Sequence, residues 1–177
     1  MNWVLGVDPG ADGGIARIFF DGEYESWRTP KSDAKIAALF LNLSSQPGCE
    51  KIWFENVWGR SGNSMRAVTS FMKGTGFLKG CIYTSFLSNG GLPPYKEVTP
   101  SIWQKIIGVP KMSKDKRPHH YRKREHKNTL KDVAQRLFPK IKCTLCNSDA
   151  LLIALVAAKE TWGCEIESQF SSIIIDI

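Results

Sequence analysis

No stretch of the 177-residue chain approaches the roughly 18 consecutive apolar residues that a membrane span needs. Its first residues also lack the basic-then-apolar order of a secretory leader. Cysteine is sparse and odd in number: Cys49, Cys81, Cys143, Cys146 and Cys164 are scattered along the chain. That distribution excludes a paired disulfide framework and fits free thiols in a reducing compartment, so a soluble cytoplasmic protein is expected. Histidine is scarcer still. Cys143 and Cys146 stand two residues apart, but His119, His120 and His126 lie well upstream and no second cysteine pair exists. Neither a zinc site nor a redox pair is expected. Internal repeats and low-complexity tracts are absent as well.

With 42% hydrophobic and 11% aromatic residues, the chain has the makings of one globular domain with a full core. Its formal charge of +7 is concentrated rather than spread. Between Val109 and Arg124 lie Lys111, Lys114, Lys116, Arg117, Arg122, Lys123 and Arg124 against a single acid, Asp115, so the segment accounts for six of the seven net charges. A basic segment on an otherwise balanced domain points to a polyanionic partner, because each phosphate neutralised releases condensed counterions. A solvated basic loop without a dedicated ligand is the plainer alternative.

The apolar pattern predicts strands over Trp3–Asp8 and Ile15–Phe20 joined by a tight turn, and a third strand over Glu23–Arg28. Ile36, Ala37, Leu39, Phe40 and Leu43 recur at helical spacing, so Asp33–Leu43 is expected to be a helix; Lys51–Glu55 follows as a buried strand. After a Gly/Ser-rich loop at Gly59–Asn63, a helix is expected from Ser64 to about Leu87. It contains Gly74, Gly76 and Gly80, which would weaken an exposed helix and so suggest close packing. Tyr95–Val98 reads as the last strand, and Thr99-Pro100-Ser101 opens a short helix to Ile107 with a hydroxyl cap and proline in its first turn. Beyond a basic loop at 109–124, helices are expected over Glu125–Leu137 and Ser148–Thr161. The apolar tail Ser172–Ile177 would add a strand or pair with a second subunit.

Three acids fall where buried elements begin or end: Asp8 closes the first strand, Glu55 the fourth, and Asp149 opens the last helix. A buried carboxylate is costly unless something compensates it. Hard cations take oxygen ligands, and phosphodiester hydrolysis commonly uses two of them. Each acid also has a plain alternative: Asp8 as a turn cap, Asp149 favoured at a helix N-terminus, Glu55 paired with a lysine. A strand ending in Asp and Gly can also open the phosphate loop of an actin-like or sugar-kinase ATPase. That fold needs two such domains, and this chain is too short.

Four blocks stand in order along the chain. They are Gly6-Val7-Asp8-Pro9-Gly10 with Gly13-Gly14-Ile15-Ala16, then Phe54-Glu55-Asn56-Val57-Trp58, then Val98-Thr99-Pro100-Ser101-Ile102-Trp103-Gln104-Lys105, and finally Ser148-Asp149-Ala150-Leu151-Leu152-Ile153-Ala154. Together, from about residue 3 to residue 160, they resemble the RuvC-like Holliday junction resolvases, especially the phage type. The resemblance implies an α/β, RNase H-like fold, a mixed five-stranded sheet flanked by helices in a single domain. It implies a homodimer that nicks opposite strands of a four-way DNA junction, with Mg²⁺ as cofactor, Mn²⁺ as a substitute, and neither an organic cofactor nor a membrane involved. The setting would be DNA in the cytoplasm of a bacterial or phage-infected cell. Asp8, Glu55 and Asp149 match the family's metal-binding acids. Lys127 matches a lysine preceding the helix that ends at Leu137 and would face the scissile phosphate. Trp58 falls where an aromatic stacks on a base at the crossover. Lys105 lies in the Thr-Pro-Ser block and joins Lys111, Lys114, Lys116, Arg117, Arg122, Lys123 and Arg124 as a DNA-binding candidate.

In one place the chain departs from that pattern. A further acid or histidine is usual a few residues before the last aspartate, yet here the positions hold Cys146 and Asn147, and no carboxylate occurs between Asp132 and Asp149. Thiolate is a poor partner for Mg²⁺. Three explanations follow: three carboxylates plus water, recruitment of Asp12 or Asn147, or an asparagine at 147 replacing a native aspartate. The same gap leaves open a catalytically impaired junction-binding protein. A third reading keeps the fold and changes the substrate, to other branched DNA or to RNA/DNA hybrids; the Trp58 position and the Thr-Pro-Ser block disfavour the hybrid.

Overall fold

A computed structural model describes residues 1–10, 12–57 and 64–163. Five strands form one sheet: β1 (Trp3–Val7), β2 (Gly14–Phe19), β3 (Tyr24–Arg28), β4 (Cys49–Glu55) and β5 (Tyr95–Val98). Their spatial order is β3-β2-β1-β4-β5, with the first three strands antiparallel and with β1, β4 and β5 parallel. Hairpin connections can be tight, whereas parallel neighbours need a crossover. Helix α1 (Asp33–Ser44) supplies the crossover from β3 to β4, and α2 (Met65–Ser88) the one from β4 to β5. Helices α3 (Pro100–Ile107), α4 (His119–Leu137) and α5 (Ser148–Trp162) complete the described chain.

Strand alternation divides the core in two. Trp3, Leu5 and Val7 join Ile15, Ile52 and Phe54 beneath Phe40 of α1 and Ile82 of α2. Val4, Ala16, Ile18 and Trp53 face the other way, onto α3, α4 and α5. Helix α5 is buried on every side from Ala150 to Ala158, as expected of an apolar helix pressed between a sheet and further helices. It touches β1 backbone to backbone at Gly6, where a Cβ would stand 2.4 Å from the Ala150 carbonyl oxygen and 2.3 Å from the Ala154 nitrogen.

Several expectations change. Helix α4 begins at His119 rather than Glu125, so the basic loop ends near Pro118 and residues 119–124 are helical. Pro118 holds φ at −53° ahead of the first turn, its carbonyl accepts from the Tyr121 N–H, and the lysines and arginines that follow are good helix formers. Lys127 lies in the middle of this helix, not before it, as the expected start at Glu125 already required. The Thr99 hydroxyl does not cap α3; it pairs with the Ser101 hydroxyl at 3.0 Å. Gly74, Gly76 and Gly80 do not serve close packing either, since a Cβ at each would meet nothing within 4 Å. The four described cysteines, Cys49, Cys81, Cys143 and Cys146, are free. Among the described residues no helix is long and apolar enough to cross a membrane. The Gly59–Asn63 loop, Trp58, Cys164 and the Ser172–Ile177 tail lie outside the described residues.

The Gly6 contact makes a sharp expectation. Gly6→Ala should cost at least about 2 kcal/mol in urea unfolding, because its methyl meets backbone that cannot rotate aside. A midpoint unchanged from wild type would show that α5 does not sit on β1 in this way.

Candidate active site

Strands β1 and β4 run parallel with Val7 beside Phe54, so the next residue on each, Asp8 and Glu55, are brought side by side at one end of the sheet. The Asp8 N–H donates to the Gly14 carbonyl at 2.9 Å, and its carboxylate accepts from the Gly10 N–H at 3.0 Å. Asp149 enters from the opposite direction, in the first turn of α5, next to the Ala150 carbonyl that abuts Gly6. Asp8 is 8% exposed and Glu55 6%, while Asp149 is partly open.

The three acids influence one another. Burial, followed by the charges of Asp8 and Asp149, pushes Glu55 up to about 8, against a hydrogen bond from Trp103 and the charge of Lys127. Burial and then the Asp8 charge push Asp149 up to about 6, opposed by Lys127 and Ser148. Asp8 is also raised by burial, opposed by the Gly10 N–H, the Lys127 ammonium and a hydrogen bond with Glu55. Lys127 therefore lies near enough to act on all three, from the middle of α4. An oxygen-only donor set suits a hard cation such as Mg²⁺. Even so, among the described residues no group of three His, Cys, Asp or Glu side chains is drawn together closely enough to enclose an ion.

The structure also decides between the suggested fourth groups. Asp12 is exposed and turned outward, bound to Arg28 at 2.5 Å and to Lys31 at 3.4 Å. Asn147 is fully committed: its Oδ1 accepts from the Thr144 N–H at 2.7 Å and the Thr144 hydroxyl at 3.0 Å, and its Nδ2 donates to Ser26 Oγ at 3.0 Å and the Lys142 carbonyl at 3.4 Å. Neither is recruited. An aspartate at 147 would set a carboxylate oxygen against the Lys142 carbonyl, so the amide suits the position as it stands. What remains is a trio that neither of these two groups extends.

Of the basic candidates, Arg117 and Arg122 hold their own segment together. Arg117 pairs with Asp115 at 2.6 Å and Glu125 at 2.8 Å, while Arg122 donates to the Ser113 carbonyl at 2.8 Å and the Arg117 carbonyl at 3.0 Å. Lys111, Lys114, Lys116, Lys123 and Arg124 are exposed and form no ion pair among the described residues, and Lys105 is exposed in the last turn of α3. One participant escaped the sequence: Trp103, fully buried on α3, whose indole N–H donates to Glu55 Oε1 at 2.9 Å. The signal available was a tryptophan one turn into a helix beside the last strand, since a buried indole usually seeks an acceptor.

Known structures share this arrangement of elements. A Thermus thermophilus RuvC structure matches with a TM-score of 0.58 over 91% of this chain and 96% of that one, at 16% identity. T. thermophilus RuvC in complex with a Holliday junction substrate matches with a TM-score of 0.57 over 92% and 98%, also at 16% identity. No protein-family model matches the chain, and no curated protein sequence does. The fold is RuvC-like, within the RNase H-like class.

The acids give the stability a definite pH dependence. Their folded values lie above the ordinary 3.8 and 4.5, so between about pH 4.5 and 8 the folded state binds more protons than the unfolded one, and the stability they contribute declines as pH rises. With a chelator present, Tm should fall across this window, and Glu55→Gln should flatten the decline. A slope unaltered by Glu55→Gln would place the titration elsewhere.

Proposed function

We propose that the chain is a metal-dependent endonuclease of the phage-type RuvC-like kind, which resolves four-way DNA junctions by paired symmetric nicks. The observation that carries this reading is the meeting of Asp8, Glu55 and Asp149 at one end of a RuvC-like sheet, with Lys127 acting on all three. The RuvC complex with a Holliday junction supports the choice of substrate by analogy of fold.

Drawn closer together than they stand in this structure, Asp8, Glu55 and Asp149 would hold two Mg²⁺ ions, or Mn²⁺ in their place, and these when bound would supply activation of the attacking water and stabilisation of the departing oxygen. The chain's own groups do the rest. Lys127 sets an ammonium beside the phosphate, where it stabilises the charge that develops during hydrolysis. Lys105 and the exposed basic residues from Lys111 to Arg124 track the backbone of the junction arms, and Trp58 stacks on a base at the crossover. Two symmetric nicks call for two copies of the site, hence a homodimer. The first half of α2 offers a surface for it, with Met65 80% and Met72 50% exposed.

The missing fourth acid favours a second reading, a junction-binding protein without effective catalysis. A labelled four-way junction incubated with the protein and Mg²⁺ separates the two: symmetric paired nicks are expected. Binding without product even in Mn²⁺ would support the second reading, and equal cutting of plain duplex would overturn both. Asp8→Asn should abolish cleavage while leaving junction affinity intact; a fall in affinity would contradict its assignment. Replacing Lys114, Lys116 and Lys123 with alanine should weaken binding and reduce its salt dependence by about one unit of slope for each phosphate left without its lysine. Titrations at several salt concentrations measure this, and an unchanged slope would remove the segment from the interface.

A further inference from the structure

We infer that Trp103 is a positioning residue for this reaction: its indole N–H tethers one oxygen of Glu55, so that the rest of the carboxylate is presented toward Asp8 and Asp149. The inference rests on reading the trio as a cation site.

Glu55 is the last residue of β4, and its side chain has three rotatable bonds beyond the end of the strand. A proton on Glu55 lets it bond to Asp8, but once Glu55 is ionised, as a cation site needs, repulsion from Asp8 and Asp149 favours conformations that swing the carboxylate away from them. The 2.9 Å bond from Trp103 opposes that swing. A lysine or arginine at the same place would also hold Glu55, but its charge would cancel the negative potential that attracts a divalent ion. An indole supplies a donor with no charge.

The tether is itself rigid. The Asn56 N–H, next to Glu55, donates to the Val98 carbonyl at 2.8 Å; Thr99 follows, and its carbonyl accepts from the Ile102 N–H at 3.0 Å and the Trp103 N–H at 3.3 Å. The path from Glu55 to Trp103 thus runs through one strand-end hydrogen bond and one helical turn. Trp103 is packed in the core with Ile107 of α3 and Leu130 of α4. Burial alone does not account for its bond, because Trp53 Nε1 in the same cluster is buried without a hydrogen-bond partner among the described residues. This fold tolerates an unpaired indole, and at 103 it pairs the indole with a carboxylate of the site.

Trp103→Phe removes the donor and keeps a ring in the core. In calorimetric titration without DNA, its Mn²⁺ affinity should fall about tenfold, roughly the weight of one hydrogen bond to a charged group. In junction cleavage, kcat should fall with KM unchanged. In a Glu55→Gln background the same substitution should leave Mn²⁺ affinity where Glu55→Gln alone put it. An equal loss in both backgrounds would show that Trp103 merely shapes the core, and no loss in either would also overturn the inference. Should Trp103→Phe fail to fold, site-specific replacement of the indole by benzothiophene, which puts sulfur in place of N–H at nearly the same shape, tests the same donor. Wild-type protein that neither binds Mn²⁺ nor cuts would bring down the cation site and this inference with it. Wild-type protein that does both, beside an unaffected Trp103→Phe, would bring down the inference alone.

Discussion

The contact between α5 and β1 at Gly6 fixes most of what matters in this molecule. Helix and strand meet there without a side chain between them, because Gly6 has none and the helix presents the backbone of Ala150 and Ala154. One carbon more at Gly6 would push α5 outward by more than a side chain could absorb, and Asp149 would move with it. A second close approach acts near the helix start, where a Cβ at Gly14 would stand 2.4 Å from the Cys146 carbonyl oxygen. Asn147 then ties the turn before α5 to Thr144 and to Ser26 on β3. Clamped at both points, the first turn of α5 can deliver Asp149 to Asp8 only at one depth. The site is in this sense a by-product of tight backbone packing.

That delivery creates an electrostatic imbalance. Among the described residues, three carboxylates meet one ammonium, that of Lys127, in surroundings that withhold water from Asp8 and Glu55. A core of this kind can relieve itself by taking up protons or by taking up a cation. The raised proton affinities of all three acids describe the first state. Under the proposed function the second state is the working one, and the open face of Asp149 is where an ion and a phosphate would enter together. Lys127 is placed to temper the repulsion without abolishing the attraction for a divalent ion.

Much of this was legible in the sequence because the informative residues sit where a pattern changes. Asp8, Glu55 and Asp149 each stand at the edge of an apolar run, and the strand and helix periods around them are clean enough to give the element order. The start of α4 was not legible in that way: residues 119–124 are almost wholly exposed and polar, so no apolar stripe announces a helix. The glycines of α2 misled because a glycine in a helix signals either close packing or its absence, and only neighbours decide which. Trp103 was hidden for a related reason. Its place in a motif shows that it belongs to the core, but the atom its N–H meets is a long-range fact, set by how α3 turns back on the end of β4.

The basic segment shows how charge and shape are divided between two kinds of side chain. Arginine presents several donors in a fixed fork, which suits carboxylates and backbone carbonyls, whereas lysine offers a mobile point charge. Arg117 and Arg122 are spent inside the segment, on Asp115, Glu125 and the carbonyls of Ser113 and Arg117. The lysines at 111, 114, 116 and 123 point outward from a backbone that those bonds already hold, and helix α4 continues the same frame to Lys127. A segment ordered in advance gives up less conformational freedom when it meets a polyanion than a loose basic tail would. Because Lys127 stands on the helix that this frame begins, whatever fixes the outer lysines on a phosphate backbone also fixes the ammonium that reaches the acids.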